Sequence, residues 1–163
     1  MQRTAAAAGS SLFFAVAPGV VAGVVPYALT GWDAQPAATV VRVAGVMLLA
    51  AGVPVLVHAF VRFVVEGAGT PAPVAPTERL VVGGLYRYVR NPMYVAVDAV
   101  IVGQALLLNQ PVLYAYAAVA ALTIAAFVHL YEEPTLARRY GADYERYRRR
   151  VPGWMPRFRQ GSG

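Results

Sequence analysis

A chain of 163 residues that is 58% hydrophobic and only 13% charged, with mean hydropathy +0.52, is too apolar for an ordinary soluble domain and reads as one membrane-embedded unit. Cysteine is absent, which excludes disulfides, thiolate metal sites and cysteine nucleophiles. The net charge of +6 rests wholly on arginine. Without an aromatic-basic surface module, that charge speaks for topology and anionic lipid headgroups and against nucleic acid.

A membrane-crossing helix needs roughly 20 apolar residues. Ser11–Leu29 is the first candidate and contains Pro18 and Pro26. It is too long, and too poorly followed by a cleavage site, to be a signal peptide. Val43–Val61 is the second, bounded by Arg42 and Arg62, and Pro54 predicts a kink in it. Gly67–Pro76 is rich in Gly and Pro and reads as an irregular loop. Pro92–Leu108 is the third span, opening on a proline that suits a first helical turn. Val112–Tyr131 is the fourth. Asn109-Gln110-Pro111 leaves only a tight turn between the last two spans, so they form an antiparallel hairpin. Beyond them, Leu136, Tyr140, Tyr144, Tyr147 and Val151 recur at spacings of three and four with arginines between. That pattern predicts one amphipathic surface helix from Glu132 to Arg150.

Arginine placement sets the orientation. Arg3 precedes span one, and Arg62, Arg79, Arg87 and Arg90 lie between spans two and three. The remaining arginines follow span four, apart from Arg42 at the edge of span two. The positive-inside rule puts both termini and the middle loop in the cytoplasm, which agrees with an even number of crossings. The expected fold is all-α: a polytopic membrane protein with four transmembrane helices and a C-terminal amphipathic cytoplasmic helix. It forms a single domain over 1–163 with its core motifs in 78–156. The lack of lysine is the mark of a GC-rich genome, so the expected location is a bacterial inner membrane.

The polar chemistry collects on the cytoplasmic side: the Gly83-Gly84 loop, Arg90-Asn91-Pro92-Met93-Tyr94, the adjacent Glu132 and Glu133, and the arginine-rich tail. The hairpin brings the start of span three beside the end of span four. An acidic pair at the mouth of a membrane helix needs a cationic partner. That partner is either an arginine, with Arg138 and Arg139 the nearest, or a cationic ligand. Helix-start N–H groups favour a carboxylate, and glycines let backbone approach a ligand closely. Taken alone, Gly83-Gly84 is an ordinary turn.

Gly84-Leu85-Tyr86-Arg87-Tyr88-Val89-Arg90-Asn91-Pro92-Met93-Tyr94 resembles a motif of the isoprenylcysteine carboxyl methyltransferases and their bacterial relatives. The tail Glu132-Glu133-x-x-Leu136, Tyr140-Gly141, Tyr144, Tyr147, Arg150-Val151-Pro152 resembles their second motif. Phosphatidylethanolamine N-methyltransferases share the glycine loop and the paired glutamates. The resemblance covers about Glu78 to Pro156. It implies a small helical membrane methyltransferase that uses S-adenosylmethionine in a cytoplasmic pocket capped by the C-terminal segment. An apolar or lipid-like substrate would enter from the bilayer. By the same likeness, Gly84, Tyr86, Arg90, Asn91, Pro92 and Tyr94 line or shape the cofactor site. Glu132 and Glu133 hold the cofactor's amino end or organise the pocket, and Arg150 orients a carboxylate. The carboxyl methyltransferases commonly carry His where this chain has Asn91. Asparagine hydrogen-bonds but is no proton base, so its expected role is binding.

Methyl transfer from a sulfonium is an in-line displacement in which the enzyme aligns groups and excludes water, and it requires no metal. An amine, phenol or thiol acceptor must first lose a proton. Asp98, four residues after Tyr94 inside span three, is a candidate catalytic residue for acceptor choice. The plainer alternative is an Arg90–Asp98 or Tyr94–Asp98 contact that fixes packing. His129 precedes the glutamates by three and four residues and is a candidate base or a helix-end hydrogen-bonder. His58 reads as structural. One His with two Glu on one helix is poor evidence for a metal. Two other readings fit parts of the pattern: a membrane NADPH-dependent reductase of the sterol-reductase type, and a non-enzymatic scaffold whose basic tail binds anionic lipid.

Overall fold

The computed structural model describes residues 16–67 and 79–158. Among these residues the fold is all-helical, with no strand. The helices are α1 (Val16–Thr30), α2 (Thr39–Gly67), α3 (Pro92–Leu108), α4 (Pro111–Phe127), α5 (Glu133–Tyr140) and α6 (Ala142–Arg150). A short 3₁₀ turn, Gly84–Arg87, precedes α3. A π turn, Val128–Glu132, joins α4 to α5 without a break.

α3 is the centre of the bundle. It buries Met93, Ala96, Val97, Val100, Ile101 and Ala105, and it is apolar on every side, as a helix enclosed by others must be. Small residues let α2 approach it closely. A Cβ added at Gly45 would lie 2.5 Å from the Leu107 amide nitrogen, and one at Gly103 would lie 2.8 Å from Leu49 Cγ. Contact at this range is how helices associate where lipid, not water, surrounds them. Asn109 in the left-handed region (φ 50°) ends α3, and Pro111 opens α4, which gives the expected hairpin.

Two helices are long and apolar enough to cross a membrane, Thr39–Arg62 and Pro111–Tyr140. Only 11% and 22% of their apolar windows are buried, so neither is the enclosed core helix of a soluble protein. Val40, Val43, Met47, Val53 and Val57 on α2 and Leu122 on α4 face outward, an apolar surface suited to lipid. This is a membrane protein. Among its described residues two of the expected spans are full-length helices, and Val16–Thr30 and Pro92–Leu108 are shorter apolar helices. Residues 11–15 of the first expected span, and the expected loop beyond Gly67, lie outside the described residues.

Prolines explain the irregular turns. Pro26 has no N–H, so it cannot donate back to the carbonyls one turn earlier. α1 widens there into a π turn, Val20–Val24. The carbonyls left over are taken by side chains of the hairpin: Gln104 Nε2 donates to Ala22 O (2.6 Å) and Tyr116 Oη to Val21 O (2.6 Å). The π turn before Pro134 has the same placement relative to its proline. Pro54, by contrast, sits inside an unbroken α2.

The expected single tail helix is two helices. Gly141 adopts φ 53°, ψ −124°, a backbone that ends α5 and restarts the chain as α6. Glycine tolerates this geometry without the steric cost of a Cβ.

Candidate functional site

Because α2 and α4 run antiparallel to α3, the C-terminal end of α2, the N-terminal end of α3 and the Glu132-Glu133 turn lie at one end of the bundle. An open-mouthed cavity of about 510 Å³ sits there. Its walls are Leu80, Val81 and Tyr86 from the glycine loop, and Arg90 and Asn91 from the approach to α3. Val128, Glu132, Glu133 and Leu136 come from the α4–α5 junction, and Tyr144 and Tyr147 from α6. The apolar stripe of the tail therefore faces this cavity.

The glutamate pair divides its partners. Arg90 Nη1 donates to Glu133 Oε1 at 2.6 Å and to Tyr144 Oη at 3.1 Å, and Arg90 Nε donates to Val151 O at 3.0 Å. His129 Nδ1 lies 3.1 Å from Glu133 Oε2. Glu132 has no cationic partner among the described residues and accepts one hydrogen bond, from Tyr94 Oη at 2.9 Å. Burial raises the phenols of Tyr86 and Tyr147, so both stay protonated, and Tyr147 donates to the Tyr86 carbonyl at 2.7 Å.

The glycine loop and the tail shape the rest. Gly84 is left-handed (φ 55°) and turns the chain so that Tyr86 is buried under the loop. The segment after α6 lies along the approach to α3: the Arg90 amide donates to Pro152 O (2.9 Å), and the Asn91 amide and side-chain Nδ2 both donate to Gly153 O (3.2 and 3.1 Å). The Arg157 amide returns to Tyr88 O at 3.0 Å.

Several expectations change with this geometry. Helix-start N–H groups favour a carboxylate, but the amides of Arg90 and Asn91 just before α3 are engaged by the chain itself. Neither glutamate pairs with Arg138 or Arg139: Arg138 donates to Thr135 and Arg139 lies over the Tyr140 ring. Asp98 contacts neither Arg90 nor Tyr94, and its Oδ1 is buried without a hydrogen-bond partner. Arg150 is exposed at the end of α6 and is not part of the cavity wall. His129 is exposed and touches Glu133 from outside the cavity, with the Trp154 ring 6.2 Å away. Gly84 flanks the wall, Pro92 is buried in the first turn of α3, and Tyr94 braces Glu132.

Sequence reasoning missed Glu66. Its carboxylate accepts the amides of Val82 (3.2 Å) and Gly83 (3.1 Å) from the end of α2. His58, Arg62 and Glu66 recur at four-residue spacing, which places them on one helix face and was a readable signal.

A sequence profile described as phospholipid methyltransferase matches residues 40–143, more than half the chain. The chain belongs to the phospholipid methyltransferase family. The match takes in α2, the glycine loop, the hairpin and the glutamate pair. Membership in the phospholipid methyltransferase family implies methyl transfer to a lipid-like substrate. Comparison with curated proteins and with solved structures returns no match.

Proposed function

We propose that this phospholipid methyltransferase family member moves a methyl group from S-adenosylmethionine to a lipid acceptor that reaches the cavity from the bilayer, on the cytoplasmic side. The observation that carries this reading is the charge of the cavity wall. Arg90 is neutralised by Glu133 at 2.6 Å, which leaves Glu132 as a carboxyl without a cationic partner among the described residues, one that a bound cation would hold ionised. A half-buried carboxylate with a single phenol partner favours a cation. The donor set thus fits a ligand with sulfonium and ammonium charges.

When bound, S-adenosylmethionine supplies a methyl group on a sulfonium already activated for displacement. The chain's own residues bind, orient and exclude water. Glu132, aimed by Tyr94, faces the positive end of the ligand. The Arg90–Glu133 pair holds the α3 start and the α4 end at fixed separation. Tyr86, Tyr144 and Tyr147 give the wall flat, protonated aromatic surface. Such alignment is the main requirement of an in-line displacement.

A nicotinamide dinucleotide would bring phosphates to a wall whose one arginine is already engaged and whose remaining acidic group is Glu132, which argues against the reductase reading. Two measurements test the proposal on protein in nanodiscs: calorimetric titration with S-adenosylhomocysteine and with NADPH, and transfer of labelled methyl from S-adenosylmethionine to the nanodisc phospholipid. Binding of S-adenosylhomocysteine, weakened about tenfold or more by Glu132→Gln, is expected. Binding of NADPH alone would overturn the proposal.

A further inference from the structure

From the end of α2 we infer that Glu66 is a positioning residue of the site: its carboxylate clamps the Val82–Gly83 backbone and thereby sets the wall formed by Val81 and Tyr86. The inference rests on the methyltransferase reading for what fills the cavity, but the clamp itself is independent of it.

Both Glu66 oxygens are used. Oε1 accepts the Val82 amide at 3.2 Å and Oε2 accepts the Gly83 amide at 3.1 Å. Two consecutive backbone amides that converge on one carboxylate form an anion-binding nest. In a free loop such a nest would receive a ligand's carboxylate. Here the chain fills it from within, so the loop's contribution to the site is shape and not charge.

Gly83 is built around this contact. A Cβ there would lie 2.2 Å from Glu66 Oε2 and 2.9 Å from its Cδ, so the carboxylate, the far end of a flexible side chain, would have to leave its present position. The Gly83 backbone itself (φ −87°, ψ 173°) is ordinary extended chain that alanine adopts freely. Gly83 is therefore required by the close approach of Glu66 and not by its own conformation. Gly84 differs: it is left-handed, and a Cβ there would lie 3.0 Å from His58 Nε2 and 3.1 Å from Arg62 Nε. Three side chains of one α2 face thus press on two consecutive glycines.

The consequence reaches the cavity through the neighbours of those glycines. Val81 precedes the clamped pair, and Tyr86 follows it within the 3₁₀ turn; both line the wall and both are buried against Ala59 and Met93. Release of Glu66 frees the loop between α2 and Tyr86 to move off that packing.

The test is a double-mutant cycle of Glu66→Ala and Gly83→Ala in nanodiscs, with two readouts. Hydrogen exchange of the peptide around Val82 and Gly83 reads the clamp without any ligand. S-adenosylhomocysteine affinity, measured well below the unfolding temperature, reads the wall. Each single variant is expected to speed exchange at these amides and to weaken S-adenosylhomocysteine about tenfold. Gly83→Ala is expected to add nothing once Glu66 is gone, because its only cost is the expulsion of that carboxylate. Glu66→Gln, which offers one acceptor oxygen in place of two, is expected to fall between. Unchanged exchange in Glu66→Ala would overturn the clamp. Faster exchange with unchanged S-adenosylhomocysteine affinity would overturn its link to the site, as would strictly additive losses in the cycle. Failure of the unaltered protein to bind S-adenosylhomocysteine would count against the proposed function, and the exchange arm would still decide whether Glu66 holds the loop.

Discussion

Arg90 and Glu133, 43 residues apart, meet at 2.6 Å with side chains only 14% and 11% exposed. Breaking a buried pair from one side strands a charge and costs about 3–5 kcal/mol. Arg90→Ala and Glu133→Ala are each expected to lower stability on this scale, with the double variant losing clearly less than the sum. Thermal unfolding of the four proteins in one detergent gives the comparison. Arg90→Lys is expected to rescue poorly, since a single ammonium cannot reproduce the separate bonds to Glu133, Tyr144 and Val151.

Gly84→Ala combines a left-handed backbone with contacts at 3.0–3.1 Å to His58 and Arg62. A loss of about 1–3 kcal/mol is expected, against little strain of backbone origin for Gly83→Ala. The two alanine variants thus separate conformational strain from side-chain displacement in consecutive residues.

Gly45→Ala tests the helix contact that carries the bundle. Its Cβ would meet Leu107 N at 2.5 Å and Gly103 O at 2.8 Å, and backbone atoms cannot step aside as side chains do. The expected cost is about 1–3 kcal/mol, read as a lower unfolding temperature.

Asp98 carries a buried carboxylate oxygen with no hydrogen-bond partner among the described residues. Such an atom costs about 1–3 kcal/mol, so Asp98→Asn is expected to be at least as stable as the unaltered protein. A change in transfer rate or acceptor range in that stable variant would give the residue a role toward the acceptor. If neither moves, Asp98 has no part in acceptor choice.

The hairpin was legible because Asn109-Gln110-Pro111 is turn chemistry between two uniformly apolar runs, and turn chemistry is local. The polar residues of the cavity were legible as a group for the same reason: each stands at the end of an apolar run. Their pairing was not. Arg90 chooses Glu133 over Asp98, although Asp98 is nearer in sequence and shares the face of Tyr94, because Arg90 precedes the first turn of α3 and points back toward the tail. Arg150 entered as a site residue through the likeness of the tail motif, and it lies exposed at the end of α6, outside the cavity wall that Tyr144 and Tyr147 of the same helix line. Glu66 shares a readable helix face with His58 and Arg62, but its partners are backbone amides, which no side-chain pattern displays.

The backbone bonds between the approach to α3 and the Pro152-Gly153 segment set an order of events in biosynthesis. Asn91 waits for an acceptor carbonyl 62 residues downstream. A nascent chain that has already placed its apolar helices in the bilayer still lacks α6 and the Pro152 and Gly153 carbonyls that tie down the start of α3. The start of α3 is therefore tied down only after residue 153 has left the ribosome, and a chain cut short between the hairpin and that point is expected to keep its apolar helices but lack these bonds.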